Sequence, residues 1–75
     1  MFTDYRMKFW IKSADTHKKV FMESDVVRVH HESDDWNTKR VDAINMMHRR
    51  LNNKHFPRFR AQLFCCHEVN TNEEA

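Results

Sequence analysis

The chain has 75 residues and a formal net charge of +2; 40% of the residues are hydrophobic and 32% are charged. This length and balance predict one small globular domain, with no room for a deep pocket. The sequence contains no glycine, which excludes phosphate-cradling loops, dinucleotide fingerprints and nucleophile elbows, because these need close backbone approach.

The first strand is predicted by strict alternation over residues 5–12. One side of this strand is apolar and is expected to be buried: Tyr5, Met7, Phe9 and Ile11. The other side carries Arg6, Lys8, Trp10 and Lys12. The polar residues 13–17 that follow predict a turn.

Residues 18–31 again have a strand-like composition, with four valines, Phe21 and Met22. Glu23, Ser24 and Asp25 interrupt this pattern. They indicate either a bulge in one long strand or a tight turn between two short strands, and the sequence leaves both open.

A helix is predicted next, with Ser33 as its N-cap and with Asp34 and Asp35 in its first turn, where the helix dipole favours negative charge. The spacing of apolar residues predicts a buried stripe of Val41, Ile44, Met47 and Leu51, with Trp36 and Ala43 at its edge. Asn52 or Asn53 is expected to end the helix in a left-handed conformation, ahead of Pro57.

Residues 58–69 predict the last strand, in which Phe59, Ala61 and Leu63 face the core. Continued alternation places Cys65 on the core side and Cys66 on the outer side with Phe64. Adjacent cysteines rarely pair with each other, so we expect free thiols and a cytoplasmic protein. Residues 70–75 are predicted to form a disordered acidic tail.

These elements predict an α+β fold in ββ(β)αβ order over residues 1–69, a single domain. One helix would cover one face of a three- or four-stranded antiparallel sheet and leave the other face open. The N-terminal residues carry no apolar run, so neither a signal peptide nor a membrane span is expected.

The uncovered sheet face is the predicted binding site, because it interleaves cations with aromatic rings. Its residues are Arg6, Lys8, Trp10, Lys12, Arg58, Arg60 and Phe64. Such a face suits a protein partner, since Trp and Arg are favoured anchors. It equally suits RNA or single-stranded nucleic acid, whose bases stack on aromatic rings. Burial of the aromatics in a homodimer and an ordinary exposed face are the remaining alternatives.

A second, basic face is predicted on the helix. Residues 36–69 hold seven Lys or Arg against two Asp or Glu, and this excess indicates a phosphate or acidic-protein partner. The helix contributes Lys39, Arg49, Arg50 and Lys54 to it. In the nucleic-acid alternative these residues add to the sheet face.

The six histidines do not show the paired spacing of zinc ligands, so no metal and no cofactor are predicted. A metal-free nuclease would need a histidine base beside a cation. His30, His31, Arg49 and Arg60 supply those residue types, but so would any basic chain. We therefore expect a protein that binds a partner and does not catalyse a reaction.

In layout the chain resembles small accessory proteins of large DNA phages. The resemblance rests on the strand Met7–Lys8–Phe9–Trp10–Ile11, the Ser33–Asp34–Asp35–Trp36 segment, the helix to Asn53 and the strand Phe59–Cys66. Several such proteins inhibit host defences, including RNase toxins and CRISPR complexes. The resemblance implies a non-catalytic inhibitor or adaptor that binds a host protein in the bacterial cytoplasm, sometimes with RNA. It includes no diagnostic motif, so it assigns no functional residue.

Overall fold

The computed structural model describes residues 1–69, and the predicted tail 70–75 lies outside the described residues. The elements are β1 (Phe2–Ser13), β2 (Lys19–His30), α1 (Trp36–His55) and β3 (Phe59–Val69). The three strands form one antiparallel sheet in the order β2-β1-β3. The predicted α+β class and the ββαβ order are confirmed.

Strand β1 lies in the centre of the sheet and supplies the floor of the core. Its side chains at Tyr5, Met7, Phe9 and Ile11 are each no more than 3% exposed. The alternation predicted for residues 5–12 is therefore confirmed. It is clear in the sequence because a central strand has one fully buried face, so every second residue must be apolar.

Strand β2 is one continuous strand, which settles the alternative left open for residues 18–31. Pairing with β1 runs without interruption through Glu23, Ser24 and Asp25, so the sheet has three strands. The irregularity lies at Val20 instead, because Phe21 pairs with Ile11 and Lys19 with Lys12. Residues 14–18 form the predicted turn.

Helix α1 begins at Trp36, later than predicted. Asp35 occupies the N-cap position without a side-chain capping bond, and no acidic residue lies in the first turn. The prediction of a Ser33 cap was wrong, because the preceding segment is held against β1. His31 N donates to Met1 O at 2.9 Å, and the His31 Nε2 atom bonds to the Thr3 hydroxyl at 2.7 Å.

The helix also ends later than predicted. It runs to His55, and Phe56 follows in an extended conformation, so neither Asn52 nor Asn53 provides a left-handed cap. The reason is Pro57, since the residue before a proline is forced out of the helical region.

The buried stripe of α1 differs in part from the predicted one. Ala43, Met47 and Leu51 are buried and Ile44 is half-buried, whereas Val41 is 42% exposed. The helix packs most closely on β3. This placement turns Val41 to solvent and brings Ala43, which was predicted at the edge, into the core.

Strand β3 contains a bulge that reverses its alternation. Lys8 pairs with Cys65 and Phe9 pairs with Leu63, so Phe64 is an extra residue. Beyond it Cys66 shares the core side with Met7 and packs against the core, and Cys65 lies on the outer side. The predicted orientation of the two thiols was wrong, because one inserted residue moves all later side chains to the opposite face.

Candidate partner-binding face

The face of the sheet turned away from α1 is called the open face below. Residues paired directly across antiparallel strands share a face, so the register with β1 identifies its members. They are Phe2, Asp4, Arg6, Lys8, Trp10 and Lys12 of β1, Lys19, Met22, Ser24, Val26, Arg28 and His30 of β2, and Arg60, Gln62, Cys65, His67 and Val69 of β3, together with the bulge residue Phe64, whose ring meets that of Trp10.

The structure places six of the seven predicted site residues on the open face. Arg58 is the exception, because β3 begins one residue later and Arg58 lies in the turn after α1. There its carbonyl oxygen accepts a hydrogen bond from Ala14 N at 2.9 Å. The backbone of Arg58 thus joins the α1–β3 turn to the end of β1.

An aromatic pair lies on the open face. The rings of Trp10 and Phe64 meet edge to face with centroids 6.1 Å apart. Phe64 is 57% exposed and Trp10 is half-buried. Phe64 is the extra residue of the bulge, and its ring stays on the open face beside the indole. The same bulge puts Cys65 and Cys66 on the opposite sides from those predicted.

The Trp10 side chain is partly covered. The Lys19 ammonium group lies over the indole ring, 5.0 Å from its centroid, within the range of a cation–π contact. The indole Nε1 atom is buried and, among the described residues, has no hydrogen-bond partner. Phe64 is therefore the more accessible of the two rings.

Positive charge surrounds this pair. Within residues 1–69, none of Arg6, Lys8, Lys12 and Arg60 forms an ion pair. Asp4 is the one acidic member of the open face, and it is bound by Arg28 through bonds of 2.8 and 3.2 Å. The hydrogen bonds from Arg28 lower the pKa of Asp4. The unpaired charge of the described open face is thus positive.

The sequence-based prediction missed the members of the open face that β2 contributes. Arg28 lies 5.8 Å from the centroid of the Phe2 ring, and that ring lies 4.8 Å from the ring of His30. Met22 and Val26 are 36% and 46% exposed beside them. Their orientation follows from the pairing of β2 with β1, which the composition of β2 did not reveal.

The predicted basic face of the helix is separate from the open face. Lys39, Arg49 and Arg50 are exposed on α1, which packs on the other side of the sheet. Lys54 is engaged, because its ammonium group lies 3.2 Å from a carboxylate oxygen of Glu23. The nucleic-acid alternative assumed that these residues extend the predicted sheet site. The structure does not bring them together with it.

Two histidines have structural roles. His31 is 5% exposed, and its Nδ1 atom lies 2.7 Å from the Glu32 carbonyl. A carbonyl only accepts, so Nδ1 carries a proton and donates to it. His48 is half-buried and donates from Nε2 to Ala61 O at 2.7 Å. In each ring one nitrogen is thus held by a backbone carbonyl.

Across the described part of the chain, no three His, Cys, Asp or Glu side chains converge as metal ligands. No helix in that part is both long enough and apolar enough to cross a membrane. No family model matches the chain, and neither a curated protein nor a solved structure matches it. The class defined by fold and surface is a three-stranded α+β protein with a cationic, aromatic open face.

Proposed function

We propose that the protein acts by binding an acidic surface of another protein on the open face. The observation that carries this proposal is a group of four cations, which form no ion pair within residues 1–69, around an exposed aromatic ring; they are Arg6, Lys8, Lys12 and Arg60. Charge complementarity would steer an acidic partner to this face, and Phe64 offers an apolar contact at its centre.

A protein partner accounts for the aromatic pair better than a nucleic acid does. Base stacking needs free ring faces, but Lys19 already lies over the Trp10 ring. The helix cations lie on the other side of the sheet, so one strand of nucleic acid would have to pass around an edge to reach both. Nucleic-acid binding remains the alternative, favoured by the alternation of cations and aromatic rings along β1.

Charge also argues against a homodimer formed through the open face. Two copies placed face to face would bring their unpaired arginines and lysines together, and like charges across an interface disfavour association. An acidic partner removes this repulsion. The proposed activity is that of an inhibitor or adaptor, with no catalytic step and no cofactor. Cys65 and Cys66 are free thiols, which fits action in a reducing cytoplasm.

Affinity capture from nuclease-treated bacterial lysate tests the proposal. Phe64→Ala and Arg60→Glu should each weaken capture of a defined protein about tenfold or more, the effect of losing an interface anchor. Met46→Ala and Arg49→Glu are matched controls on α1, since Met46 is 54% exposed and Phe64 57%. These controls should capture as well as the wild type does.

Two outcomes would contradict the proposal. Equal capture by all five proteins would mean that the open face is not the binding surface. The second outcome is capture from untreated lysate that disappears after nuclease treatment. If affinity for a single-stranded oligonucleotide also falls steeply as salt rises, the nucleic-acid alternative is identified, because phosphate contacts release counterions.

A further inference from the structure

A cavity of about 270 Å³ lies on the covered side of the sheet, where the start of β1, the end of β3 and the beginning of α1 meet. Its lining includes Thr3, Tyr5, His31, Ser33, Trp36 and Glu68. Known pockets for drug-sized ligands have about 300–1,000 Å³. The cavity is therefore sized for a small group, such as a headgroup or the end of a side chain.

Two aromatic side chains line this cavity. Tyr5 is 3% exposed and comes from the core side of β1, whereas Trp36 is 48% exposed although it opens the helix. Aromatic rings around a small cavity attract organic cations, because the ring faces carry negative partial charge.

An acidic side chain completes the lining. Glu68 pairs with Tyr5 across the sheet and so shares its face. Burial raises the pKa of the Tyr5 phenol, and the negative charge of Glu68 raises it further. Arg40 opposes this effect from α1, where its guanidinium group also donates to the side-chain oxygen of Asn37 at 3.3 Å.

The segment that precedes α1 contributes His31 and Ser33 to the lining and is acidic. Glu32, Asp34 and Asp35 all lie in it, and the buried Oδ1 atom of Asp35 has no hydrogen-bond partner among the described residues. His31 and Thr3, which also line the cavity, bond to each other at 2.7 Å.

We propose that this cavity binds a small organic monocation of the methylated-ammonium class, independently of the open face. Trp36 and Tyr5 would contact the methyl groups, and Glu68 would balance the charge. A methylated ammonium is the cation class chosen, because aromatic ring faces can replace the water around its methyl groups.

Nuclear magnetic resonance of nitrogen-labelled protein tests this site, since the two indole N–H signals report on Trp36 and Trp10 separately. Titration with choline should shift the Trp36 signal to saturation and leave the Trp10 signal in place. A neutral analogue, in which carbon replaces the ammonium nitrogen, should bind about tenfold more weakly, the size of a cation–π contribution.

Trp36→Ala and Glu68→Gln should each weaken choline binding about tenfold, and Met46→Ala should leave it unchanged. Circular dichroism confirms that each variant is folded. Equal affinity for choline and its neutral analogue would overturn the cation assignment. The absence of a saturable Trp36 shift would overturn the site itself, and neither result bears on capture through Phe64.

Discussion

The two outer strands of the sheet flank the same central strand, but the helix secures them in different ways. At β3, the side chains of Asn52 and His48 bond to the backbone N–H and C=O of Ala61, both at 2.7 Å. At β2, two basic side chains from the last turn of α1 bind the carboxylate of Glu23. The helix is thus joined to β3 through backbone groups of that strand, and to β2 through the carboxylate of Glu23.

Strand β2 is the more exposed of the two, although each strand has one buried residue. Only Val29 is buried in β2, and Val20 and Val26 are 55% and 46% exposed. The Val26 N–H donates to the side chain of Asp25 at 2.8 Å. An acidic residue thus occupies a donor that would otherwise be available for strand pairing, one of the ways in which proteins protect an edge.

The largest effect is expected where the helix meets β3. Asn52→Leu removes the acceptor of the Ala61 N–H and should lower the free energy of unfolding by about 1–3 kcal/mol, because a half-buried donor loses its partner. Asn53→Leu changes the exposed neighbouring residue and should cost less than about 0.5 kcal/mol. Urea denaturation measures both; equal losses would mean that the bond to Ala61 does not secure β3.

The bulge in β3 predicts different behaviour for its two thiols. Cys66→Ser should cost about 1–2 kcal/mol, because it places a hydroxyl against the core. Cys65→Ser should cost less than about 0.5 kcal/mol. Labelling of single-cysteine variants, with the other cysteine replaced by Ala, should be faster at Cys65. Faster labelling of Cys66 would contradict the register given by the bulge.

A smaller and pH-dependent effect is expected at β2. Partial burial alone would raise the pKa of Glu23, but hydrogen bonds from His55 and Lys54 outweigh it and lower the pKa below 4.5. Its stabilising contribution is therefore full above pH 4.5 and is lost as the pH falls through the lowered value. Glu23→Gln should cost about 1 kcal/mol at pH 7.

The difference between wild type and Glu23→Gln should shrink as the pH is lowered from 7 towards 3, because the wild-type carboxylate then becomes neutral as well. Thermal unfolding at a series of pH values measures this. Glu32→Gln, at an exposed acidic residue that forms no ion pair within residues 1–69, is the control. A difference that stays constant with pH would show that the charge of Glu23 does not hold the helix to β2.

The smallest effect is expected at the protected edge amide. Asp25→Ala should change the free energy of unfolding by less than about 0.5 kcal/mol, as at other exposed positions. Hydrogen exchange at the Val26 amide should nevertheless become faster, because that amide loses its acceptor. Ser24→Ala serves as the neighbouring control. An unchanged Val26 exchange rate would indicate that Asp25 does not protect this edge.

The residues predicted for the open face show which part of the site can be derived from the sequence. Arg6, Lys8, Trp10 and Lys12 could be assigned to one side of β1, because their buried neighbours are all apolar. Arg58 was included because the start of β3 was placed one residue early. The contribution of β2 was missed, because that strand is exposed on most positions and its composition does not alternate.

The sequence by itself determined the central strand, the existence of the helix and the order of the elements, because these depend on periodicity within one segment. Only the tertiary structure decided the register of β2, the start of the helix and the bulge at Phe64. Each of these depends on a partner distant in the chain: His31 holds the segment before α1 to β1, and Lys8 and Phe9 set the pairing around Phe64. Local sequence does not encode which backbone groups will meet, so the side on which Cys65 and Cys66 lie emerged only when β3 was paired with β1.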